Sequence, residues 1–189
     1  MVCGHGDPTR DGVADYVGHL SRTLRELAVD VLVVRGTRVR GVARAVRIAA
    51  ADVVHVHFAP SAYGFSGRIG VLPELLRPCP PLVTTLHEYG TWASPSWLPE
   101  RVWQLLEKRH VLDRETWRLI MRSAAVVTTN AEHARALAVR TGIRAVHVPL
   151  APNVTDRATR VRRDSVRRRL GVPAAAQVVA FFGFVHPVK

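Results

Sequence analysis

The sequence predicts an α/β fold built on a doubly wound, mostly parallel sheet. Short apolar runs of strand character alternate with segments whose apolar residues recur at steps of three and four. Gly and Pro punctuate the junctions, as at Pro80-Pro81, Gly142 and Pro149. The composition, 48% hydrophobic and 22% charged over 189 residues, suits a chain that buries a sizeable core and excludes global disorder. Strands separated by crossover helices pair in parallel, which sets the fold class.

The elements follow in order. Met1–Cys3 is a short first strand, and Gly4–Gly12 is the loop that leads into a helix carrying Val13, Tyr16, Val17, Leu20, Leu24, Leu27 and Ala28 at helical spacing. Asp30–Val34 reads as a buried strand. Arg40, Arg44 and Arg47 then line the polar face of a second helix that is otherwise mostly Val and Ala. Asp52–Phe58 is a strand, Ser66–Arg77 is helical, and Leu82–His87 is the strand that follows Pro80-Pro81. A long helical stretch covers about Glu100–Ser123, followed by a strand at Ala125–Thr129. Ala131–Thr141 is a helix ending at Gly142, the position where a left-handed residue closes helices. Arg144–Val148 is a last strand, stopped by Pro149.

Composition shifts over Pro149–Arg157, which reads as a linker. A basic helix ending at Leu170-Gly171 and a strand Val178–Gly183 come next. The expected organisation is a domain over 1–150, a linker over 151–158, and the first helix and strand of a truncated second domain over 159–189. Met1–Cys3 is shorter than a usual strand, so either the sheet carries a stunted first strand or upstream residues are absent.

Several function classes drop out. The longest apolar stretches, such as Val178–Val185, fall far short of the roughly 18–20 residues a bilayer requires. His5, Asp7, Arg10 and Asp11 interrupt any apolar leader, and Cys3 and Cys79 stand too far apart for a cysteine-based zinc motif or a disulfide scaffold. The expected compartment is the cytoplasm. Twenty-seven bases against fifteen acids give a net charge of +12, which favours anionic partners. Seven Arg and one Asp within Arg157–Arg169 supply half of that excess. Such a run is a solvated helix face or, in the competing reading, the contact surface of a non-catalytic nucleic-acid or anion-binding module. No aromatic-plus-basic RNA-binding pattern or zinc finger accompanies it, so no specific nucleic-acid partner is expected.

In doubly wound sheets ligands bind beyond the carboxyl ends of the strands. The residues to inspect are therefore Gly4–Gly12, Ala59–Gly64, His87–Gly90 and Asn130. A glycine at the mouth of a helix lets backbone N–H groups approach an anion, although the same glycine serves a plain tight turn. His55 and His57 share one strand face, either packed or functional, with His57 nearer the carboxyl end. His87 ends its strand and can hydrogen-bond a hydroxyl there. Tyr89, Trp92 and Trp97 sit in one loop, where aromatics stack on a sugar ring, dip into a membrane surface or cap the core below. No D-x-D motif that would hold a divalent ion at a diphosphate occurs.

Read together, these segments resemble the GT-B retaining glycosyltransferases of family 4. Gly12-Val13-Ala14-Asp15-Tyr16 is similar to that family's opening motif. Asp52–His57, Thr84–Glu88 and Ala124–Asn130 match its successive strand signatures in order, Val148–Asn153 its interdomain segment, and Phe182–Lys189 the first strand and loop of its C-terminal domain. The resemblance implies a Rossmann-like GT-B N-terminal domain that binds the acceptor and transfers sugar from a nucleotide-diphospho-sugar, a co-substrate rather than a cofactor, with no metal. It implies that His87 acts beside the transferred sugar, that Gly12 and Lys189 meet the donor diphosphate, and that Tyr16, His57, Glu88, Tyr89 and Asn130 contact acceptor or sugar. It also implies an inactive isolated chain, a C-terminal partner domain, and a peripheral contact at the inner face of the membrane. Asp11 replaces the first glycine of the family's usual pair, and Phe184 stands where many members carry an Arg. A nucleotide-sugar epimerase of the same architecture is the alternative within this fold.

Overall fold

The computed structural model describes residues 1–5, 7, 11–64, 66–89, 99, 101–102, 105, 117–151 and 162–179. It divides into two compact units, Met1–Asn153 and Val154–Lys189, with the break inside the segment read as a linker. Lys189, Gly90, Trp92, Trp97 and most of the long stretch expected to be helical over Glu100–Ser123 lie outside the described residues.

The first unit is a six-stranded sheet in which every pairing is parallel, flanked by helices as a Rossmann-like fold requires. Its strands are β1 (Val2–Cys3), β2 (Val34–Arg35), β3 (Val54–Phe58), β4 (Leu82–Leu86), β5 (Ala125–Thr128) and β6 (Val146–His147), in the order β2-β1-β3-β4-β5-β6. The order reverses between β1 and β3, the kind of switch point at whose carboxyl-end side doubly wound sheets bind ligands. Among the described residues, the α-helices of this unit whose bounds are defined are α1 (Gly12–Glu26), α2 (Val39–Ala49), α3 (Leu72–Leu75), α4 (Trp117–Arg122) and α5 (Ala131–Thr141). The second unit contains α6 (Arg163–Arg169). There, the Arg167 guanidinium donates to the carbonyls of Pro173 and Ala176, and Val178 and Val179 carry no strand assignment.

Period-two alternation sorts β3 between two layers. Val54, Val56 and Phe58 belong to the main core with Leu82, Leu86 and Val126 of the neighbouring strands, under Val42, Ala43 and Val46 of α2 and Leu119 and Ile120 of α4. His55 and His57 project to the opposite face, where α1 lies.

Local chemistry accounts for the differences from the sequence expectation. Helix α1 stops at Glu26 because Ala28 turns to φ +60°, and the second strand shrinks to Val34–Arg35. The helical run expected over Ser66–Arg77 splits into a 3₁₀ turn, Gly67–Val71, and the single turn α3, whose Pro73 fits a first-turn position where no N–H is needed. Helix α5 matches its expected bounds: Asn130 caps its start and Gly142, at φ +74°, closes it.

Gly4 is the glycine this fold requires. A Cβ built on it would lie 1.8 Å from the carbonyl oxygen of Ala62, the oxygen that accepts the His5 N–H at 2.7 Å. At Gly12 an added Cβ would meet nothing within 4 Å. Gly4→Ala should therefore destabilise the unit by more than about 2 kcal/mol, because backbone must move, while Gly12→Ala stays within about 0.5 kcal/mol. Urea denaturation followed by circular dichroism checks both. Equal midpoints for the two variants would contradict the packing described.

Candidate functional site

The site is assembled by β3, β4 and α1. Five residue pairs run in register from Val54↔Leu82 to Phe58↔Leu86, which sets His55 beside Val83 and His57 beside Thr85. His87 follows β4 directly, and its N–H donates to the Phe58 carbonyl at 2.9 Å, which fixes its backbone at the strand's carboxyl end. Above this face, Tyr16 projects from the first turns of α1. Its ring centroid lies 5.1 Å from that of His87, edge-on, and 5.8 Å from that of His57.

Three imidazoles thus share one layer. The rings of His55 and His57 are 4.1 Å apart and those of His57 and His87 5.6 Å apart. His55 Nε2 hydrogen-bonds Thr85 Oγ1 at 2.7 Å, and His57 Nδ1 faces His87 Nε2 at 3.3 Å. His57 is 0% exposed and its Nε2 has no hydrogen-bond partner. Burial pushes His55 and His87 down to about 4. Burial, reinforced by the flanking His55 and His87, pushes His57 to about 2. All three rings are therefore neutral at pH 7, each a donor at one nitrogen and an acceptor at the other. Among the described residues no group of three or more His, Cys, Asp or Glu is arranged to hold a metal ion. A layer of neutral imidazoles with a phenol beside it can exchange hydrogen bonds with hydroxyls and carries no net charge to draw in an anion.

The structure brings Tyr16, His57 and His87 together, three of the residues singled out from sequence. The others part from them. Tyr89 is 3% exposed and belongs to the main core, the capping role that the loop aromatics also allowed. Asn130 follows β5 by two residues and spends its side-chain oxygen on the Glu132 N–H at 2.7 Å, starting α5. Glu88 is half-buried next to His87. Gly12 begins α1, where the carboxylate of Asp11 already accepts the Val13 N–H at 2.9 Å. A diphosphate at that helix terminus would meet this negative charge instead of a bare array of N–H groups. Lys189 lies outside the described residues.

Sequence reading passed over Thr85, the partner that ties His55 into the layer. The available signal was the two-residue period: a strand reading Val-His-Val-His-Phe beside one reading Leu-Val-Thr-Thr-Leu puts polar groups on a common face once register is known. A depression bounded by Met1, Leu32, Val34, Val46 and Val53 lies at the amino ends of the strands, away from the histidines, and is lined by apolar side chains. Among the described residues no helix is long and apolar enough to cross a membrane. No protein-family model matches the chain, and no curated protein compared with it does.

Two predictions follow from the electrostatics. As pH falls below the ordinary histidine value near 6.5, the unfolded chain binds protons that the buried rings refuse. The stability held by their neutrality is complete above about pH 7 and is lost progressively through about pH 4, each ring adding a slope approaching about 1.4 kcal/mol per pH unit. Thermal melts should drop between about pH 7 and about pH 5, and a His55→Asn, His57→Asn, His87→Asn triple variant should flatten that drop. Asp11→Ala should cost about 1 kcal/mol through loss of the α1 cap, read as a lowered urea midpoint with unchanged slope.

Proposed function

We propose that this chain is the acceptor-side domain, with the start of the donor-side domain, of a retaining glycosyltransferase that uses a nucleotide-diphospho-sugar. The observation that carries the reading is His87: a neutral, half-buried imidazole at the carboxyl end of β4, beside Tyr16 and one strand away from the switch point of an all-parallel sheet. That is where doubly wound sheets bind ligands. The ordered strand signatures that contain His57, His87 and Asn130 supply the second line of support.

The chemistry suits the residue types. Sugar transfer builds positive charge at the anomeric carbon and negative charge on the departing diphosphate. A cationic histidine beside that carbon would oppose the first, whereas a neutral one exchanges a hydrogen bond with a sugar hydroxyl and holds the ring in place. Tyr16 narrows the space over His87, so a sugar would lie against its edge. Because Asp11 occupies the amino end of α1, the leaving diphosphate depends on basic groups elsewhere, with Lys189 the residue the reading assigns to it.

The test is a transfer assay, over a panel of nucleotide-diphospho-sugars and hydroxyl acceptors, on the protein extended through a complete donor-binding domain. His87→Ala should lower kcat by about 10²–10³, equivalent to about 3–4 kcal/mol, with an unchanged melting temperature. Near-native turnover in that variant, or no sugar transfer by the extended wild-type protein over the panel, would overturn the reading.

A further inference from the structure

The geometry points to His57 as the residue that positions His87: its Nδ1–H donates to His87 Nε2, which places the His87 proton on Nδ1 and makes that nitrogen the hydrogen-bond donor offered to a ligand oxygen. This rests on the reading of His87 as the group that contacts the sugar.

The argument is one of counting protons in a sealed space. His57 Nδ1 and His87 Nε2 are 3.3 Å apart, so one nitrogen carries the hydrogen and the other the lone pair. Both rings are neutral at pH 7, which leaves two arrangements. If His87 Nε2 were the donor, the proton of His57 would sit on Nε2, a fully buried nitrogen with no acceptor. If His57 Nδ1 is the donor, the same buried nitrogen keeps only a lone pair. Orphaned buried N–H groups are the rarer outcome in folded proteins, so the second arrangement is favoured. His87 Nε2 is then occupied as an acceptor, and its proton must reside on Nδ1.

The surroundings hold His57 in that orientation. Its ring lies tilted against that of His55, centroids 4.1 Å apart, His55 is itself tied to Thr85 Oγ1 at 2.7 Å, and the Tyr16 ring lies 5.8 Å away. His57 is 0% exposed, so water does not compete for its hydrogen bond. His87 is only half-buried and reaches the carboxyl end of the sheet. The inner ring therefore sets the tautomer, and the outer ring uses it.

Nitrogen-15 NMR of ring-labelled histidines, recorded on the chain near pH 7, reads the tautomers directly. The expected spectrum has both His57 and His87 neutral and protonated at Nδ1. His57→Asn, whose amide N–H takes the place of the Nδ1 donor, should preserve the His87 state, and His57→Phe should release it towards the Nε2-protonated form. In the transfer assay His57→Phe should lower kcat about tenfold with KM nearly unchanged, while His57→Asn stays within a few-fold of wild type. A wild-type His87 protonated at Nε2 would overturn the inference, as would a His87 tautomer indifferent to His57→Phe. If His57→Phe does not fold, the wild-type spectrum and His57→Asn decide the matter. The expected tautomers in a protein that transfers no sugar would uphold the pairing of the two rings and remove the transferase reading alone.

Discussion

The register of β3 against β4 is the constraint on which the rest of this structure depends. Five consecutive in-line pairs, Val54↔Leu82 through Phe58↔Leu86, lock two strands whose side chains alternate in kind as well as direction. In that register Val54, Val56, Phe58, Leu82 and Leu86 enter one aliphatic core, while His55, His57 and Thr85 form the opposite face under α1. A slip of one residue would drive imidazoles into the aliphatic layer and leave them without Thr85 or one another as partners. Neighbouring pairings extend the same sorting, since Thr84 stands beside Val126 and satisfies its hydroxyl on Ser123 Oγ at 2.8 Å.

Burying histidines without carboxylates has a physical consequence that reaches function. Desolvation disfavours the imidazolium, and no acid is among the causes that act on His55, His57 or His87 to restore it. The layer is polar yet uncharged, able to donate and accept hydrogen bonds in a space that strengthens them. Such a layer orders hydroxyl-rich ligands better than it attracts anions, and it keeps that character across the whole neutral range. The positive charge of the chain lies elsewhere, on exposed arginines such as Arg40, Arg44 and Arg47 along α2 and on the basic helix α6.

The loop before α1 divides its duties between two residues. Gly4 permits the close approach of the Ala62 carbonyl, and Asp11 caps the helix that carries Tyr16 over the histidines. A carboxylate at that cap neutralises the amino end of α1 internally, which changes what the loop can offer a ligand.

The sequence by itself determined the alternation of strands and helices, the parallel class of the sheet, the close of α5 at Gly142, and the placement of His87 at a strand's carboxyl end. These are short-range properties, written in apolar spacing and in the conformational freedom of glycine. Only the tertiary structure decided that His57 Nδ1 meets His87 Nε2, that Tyr89 turns into the core rather than towards a ligand, and that Gly4 rather than Gly12 is the glycine the backbone requires. The reason is separation along the chain. His57 and His87 lie 30 residues apart, and spacing within either strand carries no information about which residue of the other will stand beside it. Register, the closing of a loop over Ala62 and the direction of an aromatic side chain follow from which surfaces are buried together, and that is settled when the layers pack.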